Sequence, residues 1–306
     1  MPELPEVETI RRGLIKRIVG RKILNFEKRD QKIIQFEPKE IIGSKILGID
    51  RRAKMLIFEL SNNKSILTDL KMTGQLIWEE CAGEKEHCLR NRIPDGFARK
   101  TNQRLVGGHP NNQMFEKLPV KSTRAIFYFD DSSILYFNDQ RRFGYLKLYR
   151  TKELNDLKTK ELKGIGVEPY SKDLSVEYLI ARANKIPNRK IKQFITDQKI
   201  IAGIGNIYAD ESLFYAGVLP TRRVKDISSD EWKKINDSII FALNIGLKYG
   251  GSSEDNYVDA EGKQGRAQLH LKVYRKTGQS CQKCGAKIKR IVLGGRSTHF
   301  CPICQK

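Results

Sequence analysis

The sequence predicts an α+β protein in three parts: a β-sandwich or barrel led by one helix, a helical second domain, and a small ribbon at the C-terminal end. Three observations carry this expectation. Short apolar runs of β type crowd residues 22–149, helical spacing dominates 173–250, and two C-x2-C pairs close the chain. The 306 residues also exceed the roughly 250–300 at which single cores stop growing, so more than one domain is expected.

The leading helix is expected over 5–19. Val7, Ile10, Leu14, Ile15 and Ile18 recur at helical spacing, Pro5 suits a first turn and Gly20 a stop. The runs "KILNFE", "SKILGI", "KMLIFEL", "KSILTDL", "RAIFYFD", "SILYFND" and "YLKLY" then read as strands of a mostly antiparallel sheet system. The polar stretch 79–120 breaks their rhythm and reads as an insertion loop within the first domain, residues 1–150. It holds Cys81, His87, Cys88 and His109, whose irregular spacing favours incidental side chains over a second metal site. Residues 151–172 read as a linker. The helical domain, 173–262, contains "SVEYLIARAN", "RKIKQFITDQ", "NIYADESLFYAG" and "SDEWKKINDSIIFALNIGLKYG", the last beginning at a Ser/Asp cap. The ribbon occupies 263–306.

Charge narrows the function. Fifty-seven Lys and Arg against thirty-six acids give a net +21, an excess that points to a polyanion partner, nucleic acid ahead of an anionic membrane. From Gly262 to Lys306 there are eleven Lys and Arg and no acid, which makes the tail the leading phosphate-facing surface. No run approaches the ~18 apolar residues of a spanning helix, and the start lacks a secretory pattern. A cytoplasmic, nucleoid-associated location follows as an expectation, and in that reducing compartment cysteines serve as thiols or metal ligands.

Cys281-x2-Cys284, sixteen residues, then Cys301-x2-Cys304 is the spacing of a four-thiolate zinc site, with two disulfides as the competing reading. Four protein ligands leave no open position for water, so one structural Zn(2+) per chain is expected. Between the pairs, "LGGRSTHF" sets Arg296 on a glycine-bounded turn suited to a phosphate, the alternative being a solvated arginine. In "IAGIGNIYADESLF", Gly203 and Gly205 permit close backbone approach and Asn206 is expected to cap the next helix, leaving its N-terminus for a phosphate; an ordinary packing corner competes. In "NDQRRFGY", Arg141 and Phe143 stand at a turn that can reach into a duplex, and Met72 in "LKMTGQL" is a second apolar probe, with core packing as the alternative for both apolar side chains. Lys54 falls in strand alternation with Leu56, Phe58 and Leu60, an odd place for an ammonium unless it lies at a sheet edge beside a cleft; a solvated strand end competes.

Taken together, "MPELPEVETIRRGL", "DQRRFG", "GIGNIYADESLF" and "CQKCG…GRSTHFCPICQ" resemble, in order and along nearly the whole chain, the bacterial formamidopyrimidine-DNA glycosylases of the helix-two-turn-helix glycosylase family. Leu4 favours the oxidised-purine branch over the endonuclease VIII branch, which typically carries Gly there. The resemblance implies a monomeric bifunctional glycosylase and AP lyase acting on duplex DNA with oxidised bases or abasic sites. Pro2, freed by removal of Met1, would be the nucleophile, Glu3 the general acid/base at the deoxyribose, and Glu6 a supporting hydrogen-bond partner, so the opening acids would serve chemistry at the sugar. It further implies that Lys54 contacts the lesion or its phosphate, and that Asn206 and Arg296 hold the backbone. Glu211 would support the lesion or catalytic pocket, Met72, Arg141 and Phe143 would fill the gap left by an everted nucleotide, and a lesion-covering loop would fall near 250–262. Three departures stand out: Asp69 replaces the family's usual His, "IGVEPY" replaces L-G-P-E-P-L, and 79–120 form an insertion that does not map onto the family's motifs. A zinc-ribbon DNA-binding protein without turnover is the second hypothesis.

Overall fold

Helix α1, Leu4–Ile18, starts at Glu3, whose extended backbone (φ −102°, ψ −175°) forms the cap, and Pro5 sits in its first turn where a missing N–H costs nothing. The computed structural model describes residues 1–80, 104–108, 117–157, 159–251 and 266–306. They fall into two units, residues 1–163 with 250–266, and 164–249 with 267–306.

The first unit is a sandwich. Its strands are β1 (Ile23–Lys28), β2 (Ile34–Gln35), β3 (Ile46–Arg52), β4 (Met55–Leu60), β5 (Lys64–Asp69), β6 (Gly74–Glu79), β7 (Arg104–Gly108), β8 (Thr123–Phe129), β9 (Ile134–Asp139) and β10 (Tyr145–Arg150). Two five-stranded sheets result, in the orders β1-β8-β9-β6-β7 and β2-β10-β5-β4-β3, antiparallel except where the two-residue β2 lies parallel to β10. The core between them takes Val7, Ile10, Leu14 and Ile18 from α1 along with Phe26, Phe58, Phe127 and Phe137. Helix and sheet touch closely: a Cβ on Gly107 would lie 2.6 Å from Ile10 Cγ1, so glycine is what lets α1 settle on β7. The seven expected strands are present. Sequence reading missed β6, and it placed β7 in a loop, because five residues between polar flanks carry too little periodicity to stand out.

The second unit joins helices and ribbon. It contains α3 (Val176–Asn184), α4 (Ile191–Ile195), α5 (Asn206–Ala216), α6 (Ser229–Lys248) and α7 (Ala267–His270), with hairpin β11 (Lys289–Leu293) and β12 (Arg296–Phe300). The short α2 (Thr151–Asn155) lies in the expected linker and belongs to the first unit. Helix α6 begins with a reciprocal box: Ser228 Oγ accepts from Glu231 N (3.3 Å), and Glu231 Oε2 accepts from Ser228 N (2.8 Å). The ribbon does not stand apart. Phe214 of α5 shares a buried cluster with Val273, Cys281, Ile288 and Cys301.

Candidate active site and nucleic-acid interface

At the head of α1, Pro2, Glu3 and Glu6 are all buried, and Glu6 Oε2 accepts from the Glu3 N–H at 2.9 Å. Capping at this helix start therefore draws the side chain of Glu6 back onto the residue beside Pro2. Gly251 (φ +86°) approaches the same carboxylate, and a Cβ there would lie 3.1 Å from Glu6 Oε1. The rest of the expected lesion-covering loop, 252–262, lies outside the described residues, as do Cys81, His87, Cys88 and His109.

The third opening acid behaves differently. Glu8 pairs with Arg11 (2.9 Å), Arg12 (2.9 Å) and Arg51 (3.4 Å). Burial pushes its carboxyl up, but the hydrogen bonds from Arg11 and Arg12 and the nearby guanidinium charges outweigh that and hold it below the usual range. The expectation that all the opening acids serve chemistry at the sugar is corrected for Glu8, which is taken up by arginines of its own helix and β3.

Lys54 is also placed differently from the strand reading. Arg52 pairs with Met55, so Ala53 and Lys54 form the two-residue turn between β3 and β4, with Ala53 left-handed (φ 52°). The lysine is a half-buried turn residue, and strand alternation does not govern where it points.

Two neighbouring turns present the residues expected to act as probes. Phe143 is 51% exposed and Met72 40%, which removes core packing as their explanation. The Arg141 guanidinium lies 4.6 Å from the Phe143 ring centroid. Its neighbour Arg142 is turned the other way, bidentate on buried Asp30 (2.6 and 3.0 Å) from a left-handed backbone (φ 57°). In front of Met72, Asp69 accepts from the Lys71 backbone (2.9 Å) and pairs with its ammonium (2.6 Å). The residue replacing the family's usual His is thus committed to an ion pair at the base of the Met72 turn.

In the second unit, Gly205 caps α5 and Asn206 is its first helical residue, a correction to the expected asparagine cap. With glycine at the boundary, the Asn206 side chain is released from capping, and its Nδ2 donates to Ser297 O at 2.8 Å. Lys192 Nζ donates to the same carbonyl (2.9 Å) and to Thr298 Oγ1 (2.8 Å), and pairs with Asp210 (2.6 Å). Asp210 in turn accepts from the His299 backbone at 2.8 Å. This buried network was missed by sequence reading; the one signal was Lys192 set between Ile191 and the Phe194–Ile195 pair of "IKQFI", all of which are buried. Next to Ser297, Arg296 is exposed just past the Gly294–Gly295 turn, both glycines having positive φ (58° and 75°). Asn206 and Arg296 are thereby brought together on one surface. Glu211 faces inward, accepting from the backbone N–H groups of Lys272 (2.8 Å), Val273 (2.9 Å) and Tyr274 (2.9 Å), while full burial pushes its carboxyl up.

The four C-terminal cysteines have Sγ atoms all within 4.8 Å of one another. Cys281–Cys304 at 3.9 Å and Cys284–Cys301 at 3.4 Å are far too long for disulfides. They suit a tetrahedral ion, whose Zn–S bonds of about 2.3 Å space the sulfurs about 3.8 Å apart. Backbone N–H groups of Lys283 and Cys304 point at Cys281 and Cys301 Sγ (3.4 Å each), the knuckle geometry that supports thiolates. Burial and the crowding of the other thiols push Cys304 up to about 12, a balance that a bound divalent cation reverses.

Comparison with known proteins places each part. Residues 1–146 match the model of the formamidopyrimidine-DNA glycosylase N-terminal domain, 165–257 its H2TH domain, and 278–306 the zinc finger found in FPG and IleRS. Formamidopyrimidine-DNA glycosylases from Carboxydothermus hydrogenoformans and Exiguobacterium sp. are 37% and 34% identical, with both chains covered in full. Among solved structures, a Lactococcus lactis FPG mutant in complex with Fapy-dG containing DNA superposes with a TM-score of 0.80 at 32% identity over the whole of both chains. The complex of Lactococcus lactis Fpg with abasic-site DNA gives 0.81 at 32% identity, covering 99% of each.

Proposed function

We propose, from the premise that this chain belongs to the formamidopyrimidine-DNA glycosylase family, that its reaction runs through Pro2. The protein is a zinc-containing DNA glycosylase and AP lyase of base excision repair, acting on duplex DNA that carries oxidised purines, 8-oxoguanine and formamidopyrimidines, or abasic sites. Removal of Met1 turns the Pro2 nitrogen from an amide into a secondary amine. An α-amino group titrates near ~8, so a useful neutral fraction exists at cellular pH to attack the sugar C1′. The base leaves as the C1′–N bond to Pro2 forms. Glu3 handles the proton at the deoxyribose, and ring opening gives an iminium. Loss of a C2′ proton into that electron sink expels the 3′ phosphate, and a second elimination expels the 5′ phosphate.

What supports this assignment most is the start of α1: Pro2 and Glu3 are buried together and the Glu3 amide is fixed by Glu6 at 2.9 Å. Glu6 and Glu211 act as supports, Glu6 on the residue beside the amine and Glu211 on the three amides that hold the ribbon to α5. Lys54 contacts the lesion or its phosphate; Met72, Arg141 and Phe143 fill the space of the everted nucleotide; Asn206 and Arg296 take phosphates. We place the enzyme in the cytoplasm, at the nucleoid. No helix among the described residues is long and apolar enough to cross a membrane.

Borohydride reduction of the iminium followed by mass spectrometry of the crosslinked protein tests the assignment. The crosslink is expected on Pro2. A crosslink on Lys54 or any other lysine of the unmodified protein overturns the mechanism. No crosslink together with intact damage binding supports instead the DNA-binding protein without turnover.

A further inference from the structure

We propose that Thr73 and Asp139 form one positioning unit that locks the Met72 turn to the Arg141–Phe143 turn, so that the three probe residues act as a single wedge. The inference rests on the probe roles assigned above and adds the residues that set their spacing. Asp139 is fully buried and directly opposes Gly74 across the β6–β9 pair. Its Oδ2 accepts from Gly144 N at 2.7 Å and its Oδ1 from Arg141 N at 3.2 Å, which together close the turn that carries Arg141 and Phe143. A carboxylate serving only its own turn would need no more. Here Oδ1 also accepts from the hydroxyl of Thr73, whose Oγ1 in turn accepts from Arg141 N at 3.0 Å. Thr73 is the residue after Met72. One hydroxyl therefore bridges two turns that lie 66 positions apart in the chain.

The chemistry requires these atom types. Asp139 receives three donors and presents none, so an amide there would set an N–H₂ against a donor. Gly144 is needed at the same point, because a Cβ would lie 3.1 Å from Asp139 Oδ2 and 2.8 Å from Asp69 O. If the turns move separately, each probe can still touch DNA, but the wedge loses the fixed spacing with which it displaces a stacked nucleotide against the stacking and pairing that hold it in the duplex.

Thr73→Val keeps the shape and removes the hydroxyl; Thr73→Ser keeps the hydroxyl. In single-turnover assays T73V should slow excision from damaged duplex by about tenfold, the scale of a lost hydrogen bond to a charged group, while cleavage at a preformed abasic site stays within about twofold and T73S restores excision. Asp139→Asn should be slower still, with its thermal midpoint recorded alongside so that unfolding is recognised. A double-mutant cycle between Met72→Ala and Phe143→Ala should show strong coupling in the Thr73 background and near additivity with T73V. Excision by T73V at the wild-type rate, equal loss of excision and abasic cleavage, or unchanged coupling overturns the inference alone, provided M72A and F143A impair excision. If those two variants excise duplex lesions normally, the probe assignment itself falls, and this inference with it.

Discussion

The two ends of the chain treat charge in opposite ways. At the head of α1 the acids Glu3 and Glu6 are buried against backbone beside Pro2, whereas at the ribbon hairpin Arg296 stands exposed on a Gly-Gly turn. A group that must hold and move a proton is useful only where water is excluded and its geometry fixed. A phosphate contact works from the surface, through counterion release. The support behind each is nonetheless alike: Glu6 fixes an amide on one side, and Lys192 and Asn206 fix the Ser297 carbonyl on the other. The difference lies in which group faces out, and it sets the order of effects expected on perturbation.

Blocking the head should be the most damaging change. Retaining Met1 or fusing a tag leaves Pro2 with an amide nitrogen, which has no useful basicity and cannot form an iminium. Base excision should fall at least about a thousandfold and borohydride trapping should vanish, while binding to lesion duplex persists because the phosphate contacts proposed for Asn206 and Arg296 do not involve Pro2. Full excision by a blocked chain would erase the contrast between the two ends.

Metal removal strikes the other end and should rank second. Chelation is expected to weaken DNA binding by about tenfold or more at fixed salt, since the ion contributes folding energy to its ribbon. The loss should extend into the helices of the second unit, because Phe214 packs on Cys281 and Cys301, and Glu211 holds residues 272–274. Hydrogen exchange should therefore rise in the C-terminal half of α5, around Glu211 and Phe214, as well as in the hairpin, with the sheets of the first unit still protected. Protection of α5 unchanged after chelation would show that ribbon and helices are energetically separate.

A smaller effect is expected from Arg296→Ala. It should weaken damaged and undamaged duplex about equally, by roughly fivefold, and flatten the salt dependence by about one unit, the signature of one lost phosphate contact. A loss confined to lesion DNA would move Arg296 from the phosphate surface to the lesion pocket.

How much of this could be read in the sequence followed from the range of the physics. Elements with a long period, such as α1 and α6, were legible, as was the ribbon, because thiolate spacing is local. The β2, β6 and β7 strands were not: β2 has two residues, β6 is buried on both faces and so lacks alternation, and β7 is short and flanked by polar residues. Among site residues, Arg296 and the cysteines announced themselves through local pattern, and Pro2 and Glu3 through the family resemblance of the opening segment. Thr73, Asp139 and Lys192 did not, since the bonds that give them their roles, Thr73–Asp139 and Lys192–Asp210, join residues 66 and 18 positions apart. The capping of α5 was misread for a related reason: asparagine is a better cap than glycine by propensity, and only the carbonyl of Ser297, 91 positions on, claims its side chain.

The smallest expected effect concerns the acid that the opening segment keeps for stability. Glu8 meets three guanidiniums, and its folded-state carboxyl lies below the ordinary value of 4.5. A depressed carboxyl contributes stability that is present above the unfolded value and is lost as pH falls through the folded one. Glu8→Gln should therefore lower stability near neutral pH by about 1 kcal/mol, the modest scale set by partly exposed partners, and should flatten the part of the acid-unfolding limb that lies below pH 4.5. Excision by the variant at neutral pH should stay near normal, in contrast to Glu3→Gln, for which stability is retained and turnover is lost. Urea titrations from pH 3 to 7 beside single-turnover excision separate the two carboxylates. If Glu8→Gln were stable and inactive, Glu8 would belong with Glu3 and Glu6, and the division of the opening acids between structure and chemistry would be wrong.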